Sequence, residues 1–205
     1  MSDATYGAGY GSTSRVHDAA RDMGLTPRVY RRDGKGEVIY YGLRQTVLGL
    51  VMMAASDRGL CLAEFGAEED ALLEQLSAEF SKADIRASDA GNSKPLDDWM
   101  TALDAYLAHQ APHPDLPLDL RGTAFQMMVW RFLLSVKAGE TLSYQALAEA
   151  VGKPKGARAV ASACGANKIA VLVPCHRILR GDGGLGGYRW GLERKRALLE
   201  LEKLE

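Results

Sequence analysis

The chain has 205 residues, 47% of them hydrophobic and 25% charged, with a formal net charge of −1. That is ordinary globular composition, enough for one large domain or two small ones, and no apolar run approaches the ~20 residues that would cross a bilayer. The polar, Gly/Ser-rich N-terminus has no signal-peptide core, so a soluble cytoplasmic protein with no membrane partner is expected. Three cysteines, Cys61, Cys164 and Cys175, form no CxxC pair, which argues against a disulfide framework and a cysteine zinc site. In a reducing compartment they stay thiols, and one of them is available as a nucleophile. The charge is uneven: +2 over residues 1–35, −9 over 36–115 and +6 over 116–205. The basic last part is the candidate for an anionic partner, although solvated surface charge explains it equally well at this point.

Residues 1–35 hold two helix-like pieces. Ser14 to Met23 runs to Gly24, a C-cap, and Thr26-Pro27 pairs an N-cap with proline at N1. The phrase from Gly24 to Arg32 resembles the end of an AraC-type helix-turn-helix module, of which only the last part is present. A partial domain buries too little apolar surface to stand alone, so this stretch is expected to be loosely held. Asp33-Gly34-Lys35-Gly36 reads as a linker.

Residues 36–115 read as a small α/β domain. Val38 to Tyr41, Val47 to Ala55 and Leu60 to Phe65 look like three strands separated by Gly-containing turns, an antiparallel meander. Ala67 to Phe80 is an amphipathic helix, with acids in its first turn and Leu72, Leu76 and Phe80 at i+4. Pro95 starts another, with Leu96, Trp99, Met100, Leu103 and Leu107 on one face. This part carries no obvious chemistry and is read as scaffold.

Residues 116–205 are mostly helical. Thr123 and Gln126 form a capping box, Ser143 caps a helix from Tyr144 to Val151, and Gly152 to Gly156 turns sharply into a helix from Ala157 to Cys164. Two short helices around a tight turn read as a helix-turn-helix. Lys153, Lys155 and Arg158 cluster where the second helix begins, the place where phosphates would be met. That helix is nearly bare of large side chains, so it can approach either DNA or its own core closely.

The apolar run Ala170 to Val173 looks like a buried strand leading into Pro174-Cys175-His176-Arg177. A neighbouring base favours the thiolate. Cys175 and His176 would point to opposite faces of a strand, so they need a bend to cooperate. On residue type alone, Cys175 reads as an inert core cysteine.

Five stretches in order change that balance: Arg121 to Gln126, Gly139 to Tyr144, Ala157 to Val160, Ile169 to Ile178 and Gly187 to Gly191. Together they resemble the O6-alkylguanine-DNA alkyltransferase family, in particular the repair domain of its Ada-type bacterial members, which follows an AraC-type module. The resemblance implies a ribonuclease-H-like α/β domain followed by a winged-helix-like helix-turn-helix domain that binds DNA. Cys175 would accept the alkyl group, His176 would generate the thiolate through a water, Glu202 would orient His176, and Asn167 would brace the turn. Tyr144 would donate to the alkylated base, Tyr188 would line the pocket, and Arg158 would fill the gap left by a flipped nucleotide. Ser143, Lys155, Ile178, Arg189 and Trp190 stand in or beside the matching stretches and join them as substrate- or DNA-contacting positions. Some relatives have a small residue at the position of Trp190, so a preference for methyl over benzyl groups is expected.

The implied function is a single, irreversible transfer from O6-alkylguanine, and from O4-alkylthymine, in double-stranded DNA to Cys175. No cofactor and no metal are expected, and the protein would act as a monomer, associated with the nucleoid when on DNA. Three other readings remain: a non-catalytic lesion binder, which Cys175 argues against; an Ada-like regulator, which the truncated AraC-like segment argues against; and a Cys/His hydrolase, which would need an oxyanion hole.

Overall fold

A computed structural model describes residues 34–89 and 93–203; the AraC-like segment lies outside them. Three strands come first: β1 (Val38–Thr46), β2 (Gly49–Ser56) and β3 (Gly59–Gly66). They pair antiparallel in sequence order, as the turn residues predicted. The strand expected from Val47 begins instead at Gly49, because a hairpin turn intervenes. Gly49 has φ +105°, and the Thr46 hydroxyl donates to its carbonyl at 2.8 Å. Val47 consequently sits at the turn, 69% exposed.

Helix α1 (Glu69–Glu79) follows, then strand β4 (Asp84–Ala87), which runs parallel to β1 and completes the order β3-β2-β1-β4. The sheet is therefore mixed, a correction to the wholly antiparallel expectation. Asp84-Ile85-Arg86-Ala87 is short, charged and mostly exposed, so it offers no alternating pattern to read. Helix α2 (Lys94–Leu107) buries Leu96, Met100, Leu103, Tyr106 and Leu107.

Both faces of the sheet are covered, which is why β2 is a continuous apolar run. Met52 and Ala54 share a core with Leu72 and Leu76 of α1, while Val51, Met53 and Ala55 face the main core. That main core extends from α2 through to Leu198 and Leu201 near the C-terminus. The outer edge of β3 is not left open: Leu60 exchanges hydrogen bonds with Pro117 and Asp119, and Ala63 with Lys168 and Ala170, all at 2.8 Å. Covering an edge removes unpaired backbone groups, and here it ties the sheet to the segment before Cys175.

The C-terminal part contains α3 (Ala124–Leu133), β5 (Leu142–Ser143), α4 (Tyr144–Ala150), α5 (Ala157–Gly165), a 3-10 turn (Cys175–Arg177), β6 (Ile178–Leu179) and α6 (Leu192–Glu202). The capping box on α3 forms, with Gln126 N–H on the Thr123 hydroxyl and Thr123 N–H on Gln126 Oε1. Helices α4 and α5 flank the expected sharp turn, where Gly152 has φ +72°. Helix α5 buries Val160, Ala163 and Cys164 and leaves Arg158, Ala159 and Ser162 exposed, so one face packs on the core and the other is open to solvent.

Residues 170–173 form a turn, not the strand that their composition suggested. Val171 takes φ +67°, which a β-branched residue rarely adopts. Leu172 N–H bonds Ala170 O at 2.7 Å and Val173 N–H bonds Ile169 O at 3.1 Å, closing the backbone on itself. A fully buried apolar run suits a buried turn as well as a strand, and periodicity does not separate them.

Candidate active site

Asn167 organises the turn. Buried at the end of α5, it donates through Nδ2 to Ile169 O (3.2 Å), Val173 O (3.0 Å) and Cys175 Sγ (3.3 Å), and its Oδ1 accepts from Ile169 N–H (2.9 Å). One side chain thus satisfies backbone groups that a ladder would otherwise take and fixes the sulfur against them. Pro174 and the 3-10 turn supply the bend between Cys175 and His176.

His176 Nε2 lies 2.7 Å from Glu202 Oε1, with both side chains buried. A carboxylate at that distance holds the proton on Nε2, which leaves Nδ1 as an acceptor. Nδ1 is buried and has no hydrogen-bond partner among the described residues, so it is free to accept a proton. Arg177 grips the same carboxylate, Nε to Oε2 at 2.9 Å and Nη2 to Oε1 at 2.8 Å, and its Nη1 bonds Val136 O. Burial would raise Glu202, but the bonds from His176 and Arg177 outweigh it and hold the carboxyl at about 2. Burial lowers His176, partly opposed by Glu202. Burial also pushes the Cys175 thiol up to about 11, against the pull of Asn167 and Lys195. At neutral pH the resting pair is therefore thiol and neutral imidazole.

Tyr144 is brought to this cysteine by backbone pairing. β5 pairs parallel with β6, Leu142 opposite Ile178 and Ser143 opposite Leu179, and the Ser143 hydroxyl caps α4 by accepting from Ala146 N–H at 3.0 Å. Ser143 and Ile178 are accordingly structural in position, one capping and one fully buried. Burial, with Cys164 and Cys175 nearby, raises Tyr144 to about 12, so its hydroxyl stays a donor. Gly186 lies against that ring at φ +67°, where a Cβ would sit 3.1 Å from Tyr144 Cε2. A glycine is needed there on both counts.

His176, Tyr188 and Trp190 stack edge to face, with centroids 6.4 and 5.1 Å apart in turn. Burial raises Tyr188 well above the ordinary phenol value. Trp190 is buried behind Tyr188. Arg189 turns elsewhere and pairs with Glu64 of β3 at 3.1 Å. Lys155 and Arg158 are exposed on the helix-turn-helix surface, Arg158 in the first turn of α5.

Three features lay beyond the sequence reading. Lys195, fully buried, donates to Ile178 O and Leu185 O at 2.5 Å and to Gly187 O at 3.3 Å, fastening the loop before Tyr188. Its spacing from Leu198 and Glu202 on one face of α6 was the available signal. Arg177 was read only as part of the motif, and Tyr106, which reaches Glu202 from α2, had no local signal at all.

The arrangement places a shielded thiol next in sequence to a carboxylate-oriented imidazole, with a tyrosine hydroxyl nearby and a basic helix-turn-helix surface exposed. Residues 39–120 match the family model for the 6-O-methylguanine DNA methyltransferase ribonuclease-like domain, and residues 124–204 match that for its DNA binding domain. The chain is 43% identical over 192 residues to the bifunctional transcriptional activator/DNA repair enzyme Ada of Escherichia coli, covering 93% of this chain and 53% of that protein. It is 54% identical over 101 residues to the methylated-DNA–protein-cysteine methyltransferase of Mycobacterium tuberculosis, 49% of this chain and 61% of that one. It thus spans about half to three-fifths of the length of these two curated relatives. The crystal structure of Mycobacterium tuberculosis OGT in complex with DNA superposes with a TM-score of 0.67 at 38% identity, over 80% of this chain and 93% of that one.

Proposed function

The chain belongs to the 6-O-methylguanine DNA methyltransferase family, and we propose that it repairs DNA by moving the alkyl group of O6-alkylguanine, or of O4-alkylthymine, onto Cys175 once and irreversibly. The observation that carries this is the buried His176–Glu202 pair at 2.7 Å next to Cys175, with Nδ1 of the histidine open as a base. The lesion is extruded from the duplex, at a cost of a few kcal/mol, and Arg158 occupies the vacated stack while Lys155 meets phosphate. The Cys175 proton passes through a water to His176 Nδ1. The S–C bond forms as the C–O6 bond breaks, and the Tyr144 hydroxyl steadies the charge developing on the departing base, which then takes up a proton. Tyr188 shapes the pocket wall and Trp190 backs it. The product is a thioether, so each molecule acts once.

In this reading residues 36–115 are a ribonuclease-H-like scaffold and 116–205 a winged-helix-like catalytic domain. The order β3-β2-β1-β4 with its parallel last strand supports the first label. The paired helices α4 and α5 with an exposed basic start support the second. The protein acts as a cytoplasmic monomer on double-stranded DNA. No helix among the described residues is long and apolar enough to cross a membrane. The test is intact mass after incubation with a duplex carrying one O6-methylguanine. A gain of one methyl group per molecule, absent in Cys175→Ala, is expected; no gain by folded protein refutes the proposal and favours lesion binding without transfer.

A further inference from the structure

Helix α2 belongs to the scaffold, yet it sends one side chain into the relay. Tyr106 is wholly buried, and its hydroxyl donates to Glu202 Oε1 at 3.2 Å, the same oxygen that His176 Nε2 approaches at 2.7 Å. Arg177 already holds both carboxylate oxygens, so the tyrosine is not needed to compensate the charge. It makes a third donor on Oε1, and a carboxylate oxygen has about two lone-pair sites to share. The ring is itself fixed by His113, edge-on at 5.0 Å and 74°.

We propose that Tyr106 is a positioning residue for the transfer reaction: its hydroxyl fixes the Glu202 carboxylate and draws part of the Oε1 charge away from His176, setting the strength of the base. The inference rests on the reading of Cys175 as alkyl acceptor and His176 as its base. The groups around His176 are Glu202 and Lys195 from α6, Arg177 and Cys175 beside it, the Tyr188 ring, and His113 behind Tyr106. Burial opposes protonation of His176 most strongly, Glu202 favours it, and Arg177 and Lys195 oppose it. Removing one donor from Oε1 returns charge to the Glu202–His176 bond and favours the imidazolium.

Tyr106→Phe keeps the ring and deletes the donor. Single-turnover methyl transfer, measured against pH, is expected to fall about two- to tenfold on its plateau as the carboxylate loses an anchor and the histidine its alignment, the span of one typical intramolecular hydrogen bond. Its acid limb should move to higher pH by about half a unit. The His176 ring-proton titration, followed by NMR without DNA, should rise by the same amount. An unmoved limb and titration overturn the proposal even if the plateau falls, because a purely structural loss lowers the rate without retuning the histidine. If wild-type protein takes up no methyl group, the transfer reading fails. The NMR titration then decides Tyr106 alone: a rise supports its control of His176, and no rise overturns it.

Discussion

Replacing Asn167 by alanine isolates what holds the cysteine in place. The side chain makes four contacts, but their loss is unequal. Val173 O keeps Cys175 N–H at 2.8 Å, and Ile169 O keeps Val173 N–H at 3.1 Å. Ile169 N–H has Asn167 Oδ1 as its partner and is left buried and unpaired, at a cost of about 1–3 kcal/mol. The weaker bonds to carbonyls that retain a partner add about 1 kcal/mol. The expected destabilisation is about 3 kcal/mol, a large part of the 5–15 kcal/mol typical of a domain but short of unfolding it. Because Val171 sits at φ +67°, the released turn should also relax and let the sulfur drift. Urea denaturation should give a lower midpoint at unchanged m, and methyl transfer should slow by more than the loss of folded protein accounts for. A stability change below about 1 kcal/mol together with an unaltered transfer rate would refute the claim that Asn167 holds the turn.

Two further outcomes follow from the same geometry. With its thiol pushed up to about 11 by burial, Cys175 should be alkylated by iodoacetamide at a rate that climbs about tenfold per pH unit toward that value, since only the thiolate reacts; peptide mapping that shows a plateau below pH 9 contradicts the resting state described above. Trp190 is buried edge-on to Tyr188, so Trp190→Gly should open the wall behind it and speed reaction with O6-benzylguanine relative to O6-methylguanine, at about 3–5 kcal/mol of stability; an unchanged ratio of the two rates removes Trp190 from the control of alkyl size.

What could be read from the sequence follows the range of the interactions. Cys175, His176, Asn167 and Glu202 are legible through the resemblance of five ordered stretches to a known family; on residue type alone Cys175 reads as an inert core cysteine, and Glu202 adds only its place on the helical face of Leu198. Tyr106 stands 96 residues from Glu202, and nothing in α2 distinguishes it from a core aromatic. The Lys195 ammonium has carbonyl partners in strand β6 and the loop after it, up to 17 residues away, which no helical pattern reveals. Strand β4 escaped because four residues with two charges satisfy neither period. The apolar composition of 170–173 points to a strand, but Asn167, a side chain, makes the backbone bonds there that a neighbouring strand would have made. Local rules see propensity and spacing; they do not see a side chain substituting for backbone.

The scaffold acquires a chemical purpose once these long-range ties are taken together. The segment around Cys175 is held from three directions: Ile169 is bridged to Ala63 on the edge of β3, Ile178 is paired with Leu142, and α6 supplies both Lys195 and Glu202. If Cys175 accepts one alkyl group per molecule, as proposed, it gains from such restraint. A thiolate standing open to solvent would be consumed by any passing electrophile, and a protein that cannot regenerate its thiol loses the whole molecule each time. Here Cys175 is 4% exposed and protonated at rest, with its base neutral. Under the proposed function, reactivity would depend on a substrate that brings an alkyl carbon into line with the sulfur while offering a leaving oxygen that Tyr144 can steady. On that reading selectivity would lie in the assembled complex, with the buried, protonated thiol held back in the free protein.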